Sequence, residues 1–484
     1  MTDVADKYEL VVGLEVHAQL LTRSKAYSSD PNEFGALPNT NVSVISLAHP
    51  GTLPRFNKKA VDLAIRLGLA CGCNITRHMH FARKNYFYPD LPKGYQITQD
   101  TTPICTGGAI NIKTENGADK TIRLTRAHLE EDAGKSIHDQ DPFDTLVDLN
   151  RAGVPLIEIV SEPDIRSSTE AYNYLTSVRQ LVRYLDICDG NMEEGSLRCD
   201  ANVSVRIKGS EKFGTRTEVK NLNSIRNVQR AIEFEMQRQI GILEAGGKIN
   251  QETLNFDAGT GKTTPMRSKE LAHDYRYFPE PDLGPLVVTD EDLARVRSEM
   301  PALPEELIKR YTAELGLSEY DARVLTSEKE TAAYFEQVLQ HTKHVKAAAN
   351  WVTGDIKSYL NANAIDFDQL PLSPQRLAGL IELVQSEKVS YSIAAAKILP
   401  EMMVNKLKSA EQLANEQGLI QSSDDQWILQ IAHEVVAGLP EKVAAYKAGN
   451  KGLLGLFMGE FMKKSQGKAN PKMANEIIKQ LLEQ

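Results

Sequence analysis

Several signals that announce a particular chemistry are missing from this chain. Cysteine is scarce: five residues, at 71, 73, 105, 188 and 199, with Cys71-Gly72-Cys73 as the only close pair. An odd count with no second pair argues against a zinc ribbon or a disulfide framework, and predicts reduced thiols in a cytoplasmic protein. No apolar run approaches the ~20 residues of a membrane span. The opening Met1-Thr2-Asp3-Val4-Ala5-Asp6 is acidic and lacks the apolar stretch of a signal peptide. Positive charge is not in excess. The net charge of -9 excludes a chain that is basic throughout and leaves nucleic-acid binding to a local patch.

Familiar catalytic motifs are absent too. There is no G-x-G-x-x-G, no G-x-S-x-G and no H-E-x-x-H. Gly259-Thr260-Gly261-Lys262-Thr263-Thr264 looks like the end of a phosphate-binding loop. However, Phe256 stands where its first glycine is required, and Pro265 follows where a helix should open. The segment reads as a flexible loop, so any use of ATP needs another fold.

What is present is a long chain of ordinary globular composition. Its 484 residues predict two to four domains, and 41% hydrophobic with 25% charged residues is enough for packed cores. Up to about 298 the pattern is mixed, with strands expected at 10–20, 42–48, 109–113, 121–127, 145–149, 155–161, 200–207 and 215–219. Helical periodicity interrupts them at 57–70, 168–186 and 224–244, the second opened by a cap in Ser167-Ser168-Thr169-Glu170. The expected class is α+β, a large and mainly antiparallel sheet with helices packed on part of it. From Met300-Pro301-Ala302-Leu303-Pro304 onwards strands vanish. Pro304, Pro374 and Pro471 sit at first helical positions, the latter two after the caps Ser373 and Asn470. Turn-rich gaps near 361–373 and 418–425 divide this part. The expected domains are 1–298, 299–411 and a small helical tail, 412–484. From 440 to 484 there are eight Lys and four Glu, a net +4, so the preceding 439 residues carry -13 of the total of -9. Such a tail is a solvated Lys-rich surface or a docking module for a phosphate backbone.

Four acidic segments stand out in the first 205 residues. In Gly13-Leu14-Glu15-Val16-His17, strand alternation puts Glu15, His17 and Gln19 on one face, as a wet sheet face or as half of a metal or acid–base site. Arg126 to Lys135 contains His128, Glu130 and Glu131. In Pro155 to Asp164, Glu158 interrupts an apolar strand, and a carboxylate buried there needs a partner or an ion. In Gly195 to Val203, Arg198, Asp200 and Asn202 share a strand face. Carboxylates with one imidazole suit Mg²⁺ or Mn²⁺ rather than zinc, unless the segments are unrelated ion pairs. Arg83 to Gln96 interleaves basic residues with aromatics, able to grip phosphates and stack rings or to pack on the core, and Asp274 to Asp282 is a counterpart. Thr217 to Ser224 runs from a strand end into a helix, a place for an anion.

These runs, with Val147-Asp148-Leu149-Asn150-Arg151 and Met192 to Asn202, resemble in one collinear order the B subunit of the bacterial-type tRNA-dependent Asp/Glu amidotransferase. The helical C-terminal part resembles the YqeY family. The resemblance implies a sheet "cradle" domain, a helical domain and a YqeY-like, tRNA-binding tail. It implies a cytoplasmic heterotrimer with an amidase A subunit and a small C subunit, and no membrane. The B subunit of such a complex binds tRNA-Gln or tRNA-Asn carrying Glu or Asp. With ATP and Mg²⁺ (Mn²⁺ as alternative) it phosphorylates the side-chain carboxylate, and ammonia made by the A subunit displaces the phosphate. No amidase Ser-Ser-Lys stretch is visible here, which fits a separate ammonia source.

On this resemblance Glu15, His17, Glu131 and Glu158 would hold the metal, with Asp200 a further candidate and Glu130 the alternate to Glu131. Arg198, Lys84 and Lys220 would neutralise phosphates. Tyr86, Tyr88, Asn221 and Asn223 would contact ATP or substrate, and Lys463, Lys464, Lys468 and Lys472 would contact tRNA. Two rivals are the archaeal-type E subunit and a non-catalytic tRNA-binding scaffold. The first carries an inserted domain for which the step from Leu283-Gly284-Pro285-Leu286 to 304 leaves no room. The second would not keep the acidic cluster.

Overall fold

A computed structural model of the chain describes residues 7–266, 275–420, 425–465 and 469–483. It divides into two compact units, 1–303 and 304–484.

The first unit is built on a 13-stranded sheet. Ten strands form its main path: β1 (Tyr8–Gln19), β2 (Ala82–Asn85), β3 (Tyr95–Thr98), β4 (Asp119–Glu131), β5 (Pro155–Ser161), β6 (Leu197–Ile207), β7 (Thr217–Leu222), β8 (Thr253–Asp257), β9 (Lys262–Pro265) and β10 (Phe278–Pro279). Their order is β9-β8-β7-β6-β1-β5-β4-β3-β2-β10. On this path β7 and β8 run parallel, and all other neighbours are antiparallel. The mainly antiparallel sheet expected from the strand pattern is therefore the architecture observed.

β1 is central because of its alternation. Leu14, Val16, Ala18 and Leu20 are buried in one core with Ile157, Ile159, Ala127, Leu129, Ala201 and Val203 from the neighbouring strands. Four helices complete that core: α1 (Lys58–Ala70), α2 (Ser168–Tyr184), α3 (Ile225–Glu244) and the short α4 (Asp290–Ser298), which contributes Val296. The first three each start at a side-chain cap. Asn57, Ser167 and Ser224 accept from the backbone N–H of Lys59, Glu170 and Asn227 at 3.0, 3.1 and 3.1 Å. With one face sealed by α1, α2 and α3, the polar residues of β1 occupy the other.

Two expectations fail for local reasons. Residues 42–48 form turns and not a strand. The Asp30 carboxylate accepts from the Ser43 backbone N–H and the Ser46 hydroxyl, and curls the segment back on itself. The Gly259-Thr260-Gly261-Lys262 run is the tight hairpin turn between β8 and β9. Asp257 accepts from the N–H of Gly259 and Thr260 at 2.8 and 3.2 Å, and Gly261 takes the left-handed φ of +70° that the reversal requires.

The second unit is helical. Helices begin at Pro304, Pro374 and Pro471, and Ser373 and Asn470 accept from the N–H of Arg376 and Lys472 at 3.4 and 2.9 Å. Ile428, Ile431, Val435, Phe457, Phe461, Ile478 and Leu482 form a core of their own near the C-terminus. Among the described residues, no helix is long and apolar enough to cross a membrane.

Candidate active site

The polar face of the sheet, opposite the packed helices, brings the acidic segments together. Register decides which side chains meet. His17 on β1 stands opposite Glu158 on β5 and Arg198 on β6, and Glu158 stands opposite His128 on β4. Gln19 pairs with Leu156 and Leu156 with Glu130, which sets Glu130 one pleat further along the same face. His17 Nε2 lies 3.5 Å from Glu130 Oε1 and 3.5 Å from Glu158 Oε2. His128 Nε2 lies 3.2 Å from Glu158 Oε2 and 3.7 Å from Glu130 Oε2. Ligand atoms of His17, Glu130 and Glu158 all fall within 4.8 Å of one another.

The charges are strongly coupled. Burial opposes the charge of both histidines, but the carboxylates around them outweigh it. His128 is pushed up to about 9 by Glu130 and Glu158, and His17 is raised by Glu158 and Glu130. Burial also opposes ionisation of Glu158, yet the two imidazoles hold its carboxyl well below the usual range. Glu15 goes the other way. Burial, and then the charge of Glu158, raise it, although Asn202 Nδ2 donates to it at 2.8 Å. The Nδ1 of His128 is buried without a hydrogen-bond partner.

Cations rim this centre. Arg198 Nη1 meets Asp132 Oδ2 at 2.9 Å, and Gln19 Nε2 donates to the same oxygen at 2.9 Å. Lys220 Nζ lies 2.7 Å from Asp200 and 2.8 Å from Glu218. These carboxylates raise Lys220 against the opposing effect of burial, so it stays an ammonium ion.

Glu131 departs from the expectation. It is the next residue after Glu130, so the pleat turns it to the opposite side. There its carboxylate accepts from Lys93 Nζ and, at 2.8 Å, from the Ile97 N–H. It lines a small cavity with Lys25, Tyr27 and Tyr95, where burial lowers Lys25 to about 8. Glu130 is the carboxylate that joins His17 and Glu158. The parity is readable in the sequence: Ala127 and Leu129 are apolar and core-facing, so Glu131 shares their side and His128, Glu130 and Asp132 share the other. The same parity places His128 and Asp132 beside Glu130, as the alternation of β1 places Gln19, which donates to Asp132, beside His17.

Most of the remaining candidates are engaged by partners outside the His17–Glu130–Glu158 cluster. Asp200 is engaged by Lys220. Asn221, at a left-handed φ of 64°, pairs with the Asn255 side chain, and Asn223 accepts from Asn227 Nδ2 at 2.6 Å beside the Ser224 cap. Lys84 Nζ sits 4.8 Å from the ring centroid of Tyr275 and 6.0 Å from that of Tyr86. In the helical unit Lys463 is exposed, Lys464 meets Glu434 and Lys472 meets Glu387, each at 3.1 Å. Lys468 lies outside the described residues.

Two carboxylates and one imidazole fit a hard divalent ion such as Mg²⁺ or Mn²⁺, and His17, Glu130 and Glu158 would hold it. Because the folded state raises both histidines, their protonation stabilises it fully below their ordinary pKa of ~6.5. That contribution is lost as pH rises through about 9 for His128. With chelator present, the urea midpoint should therefore fall between about pH 6.5 and 9. Ion binding must displace the His17 proton, so Mn²⁺ affinity measured by calorimetry should rise with pH, by up to roughly tenfold per unit. A pH-independent affinity would mean that His17 is not a ligand.

Known proteins match this sequence along nearly the whole chain. The family described as the GatB/GatE catalytic domain matches residues 10–294, and the GatB domain family matches 333–482. The B subunit of the aspartyl/glutamyl-tRNA(Asn/Gln) amidotransferase of Chlorobium limicola is 52% identical over 477 residues, covering 99% of this chain and 100% of that protein. The corresponding B subunits of Thermodesulfovibrio yellowstonii and of Azoarcus sp. are 49% and 50% identical, covering 99% and 98% of this chain and 100% and 99% of their own lengths. Matched along its whole length and in both units, the chain belongs to the GatB family of tRNA-dependent amidotransferase B subunits.

Proposed function

We propose that this chain is the B subunit of an aspartyl/glutamyl-tRNA amidotransferase. It takes Glu-tRNA(Gln), Asp-tRNA(Asn) or both, phosphorylates the side-chain carboxylate with ATP, and completes the amide with ammonia from a partner amidase A subunit. A small C subunit would complete a cytoplasmic heterotrimer. The observation that carries this reading is the His17–Glu130–Glu158 centre, rimmed by Arg198 and Lys220, in a chain about half identical to named B subunits along its full length.

The chemistry suits the residues. A free carboxylate is a poor electrophile because an oxide would have to leave. A phosphoryl group makes the leaving group a good one. A divalent ion, when bound, supplies charge compensation on phosphoryl oxygens. The chain's own residues would do the rest. His17, Glu130 and Glu158 provide the ligand set. Glu15 is held by Asn202 beside it, and Glu15 and Asp200 are neighbours across β1 and β6. Arg198 and Lys220 supply fixed positive charge, oriented by Asp132 and Asp200, for phosphate oxygens to engage. An acyl phosphate hydrolyses readily, which makes direct ammonia delivery necessary.

Replacing Glu158 with Gln should reduce tRNA-dependent ATP hydrolysis by at least roughly a hundredfold, and Glu15→Gln should abolish it, while tRNA binding is kept. ATP hydrolysis at the parental rate in both variants would reject the centre. We also propose that the tail from 412 docks tRNA, on the strength of its net +4 over residues 440–484. Removing 412–484 should weaken tRNA binding in a titration and leave glutamine hydrolysis by the complex nearly unchanged. Parental tRNA affinity would reject this role.

A further inference from the structure

A row of tyrosines lies beside the centre, and two of its members, Tyr86 and Tyr88, are among the residues that the resemblance places on ATP or substrate. Tyr88, Tyr86, Tyr275 and Tyr277 follow one another with ring centroids 5.9, 6.3 and 5.9 Å apart, tilted by 67°, 71° and 67°. The first two come from the loop after β2, the last two from the segment before β10. Asn85 joins the segments. Its backbone N–H and its Nδ2 each donate to the Tyr275 carbonyl at 3.0 Å, and Nδ2 also donates to the Arg276 carbonyl at 2.8 Å. Arg276 takes a left-handed φ of 45°. The loop is pinned as well: the Asp90 carbonyl accepts from the Gly134 N–H at 2.8 Å, and its carboxylate from Ser136 Oγ at 3.0 Å.

None of the four rings belongs to the hydrophobic core of the sheet. Tyr88 and Tyr277, at the ends of the row, are 43% and 42% exposed. Lys84 lies against the two inner rings, and Arg126 is close enough to Tyr277 to act on its charge. The strand path leads from the row to the ligand cluster: Ala82 on β2 pairs with Thr98 on β3, and Thr98 with Glu130 on β4. Burial raises the hydroxyls of both Tyr86 and Tyr277, and in each the negative charge of Glu130 adds to the shift. Rings in series, interleaved with cations and braced by backbone hydrogen bonds, are what consecutive unstacked bases and their phosphates require.

We propose that this tyrosine row is the stacking platform for the unpaired 3′ end of the aminoacyl-tRNA. The inference rests on the function proposed above and names how its substrate is held. The reacting carboxylate hangs from the terminal ribose, so the last bases of the acceptor strand must lie next to Glu130 when it reacts. A single nucleotide such as ATP presents one base, whereas four rings in succession serve a strand. Duplex RNA keeps its bases stacked inside and cannot use them.

The test uses the full complex with its partner subunits, and the parental complex must first amidate mischarged tRNA. Failure at that stage would count against the proposed reaction and not against the platform. In Tyr277→Ala and in Tyr88→Ala, KM for aminoacyl-tRNA should rise roughly tenfold, the loss of one base–ring stack. KM for ATP should stay as it is, and Tyr277→Phe and Tyr277→Trp should remain within about twofold of the parent. A short single-stranded RNA matching the acceptor 3′ end should inhibit the parent and inhibit both alanine variants more weakly. A rise in KM for ATP with that for tRNA unchanged would overturn the platform in favour of the nucleotide's own adenine. Phe performing as badly as Ala, or alanine variants indistinguishable from the parent, would also overturn it.

Discussion

The structure depends on one juxtaposition: a half-buried imidazole, His17, held between two carboxylates that arrive from two other strands. Glu158 comes from the adjacent strand and Glu130 from the one beyond, each 3.5 Å from the His17 Nε2. Three such groups meet only if β1, β5 and β4 keep their register. A slip of one residue would turn every one of them into the core. The apolar residues interleaved with them fix that register. Val16 and Ala18 on β1, Ile157 and Ile159 on β5, and Ala127 and Leu129 on β4 are all fully or almost fully buried. Core and site are therefore two faces of one constraint. The carboxylates of Glu130 and Glu158 raise both imidazoles against burial, and the two imidazoles in turn lower Glu158.

The same alternation determines how much of the fold is legible in the sequence. Long periodic elements are legible: 155–161 coincides with a strand, and the helices at 58–70, 168–184 and 225–244 begin within two residues of their expected starts, whereas the short helix at 290–298 has no expected counterpart. Proline and cap positions place Pro304, Pro374 and Pro471 at helix starts because those signals are local. The segment at 42–48 misleads because its Val and Ile suggest a strand, while the force that curls it is a carboxylate at position 30. Short strands such as β2, β3, β8 and β9 carry too few residues to show a period. They take their conformation from neighbours distant in sequence.

The site shows the same division. Glu15, His17, Glu158, Arg198 and Asp200 stand out by residue type and strand parity, Lys220 by the resemblance, and they do share one face. The resemblance points to Glu131 with Glu130 as its alternate, and counting from Ala127 and Leu129 puts Glu130 on the face of His17 and Glu158. Pairings made across strands are invisible in the sequence: Arg198 with Asp132, Lys93 with Glu131 and Asn85 with Tyr275 each join residues far apart in the chain. In the tail, composition alone suggests a cationic surface, and two of its lysines are engaged by Glu434 and Glu387.

We propose that Glu130, and not its neighbour Glu131, would complete a metal-ligand set with His17 and Glu158, whose ligand atoms lie within 4.8 Å of one another. Mn²⁺ binding followed by electron paramagnetic resonance in Glu130→Gln and Glu131→Gln tests this most directly. Glu130→Gln should weaken the ion by about a hundredfold or more, while Glu131→Gln should hold it within severalfold of the parent. Parental affinity in Glu130→Gln together with lost binding in Glu131→Gln would contradict it.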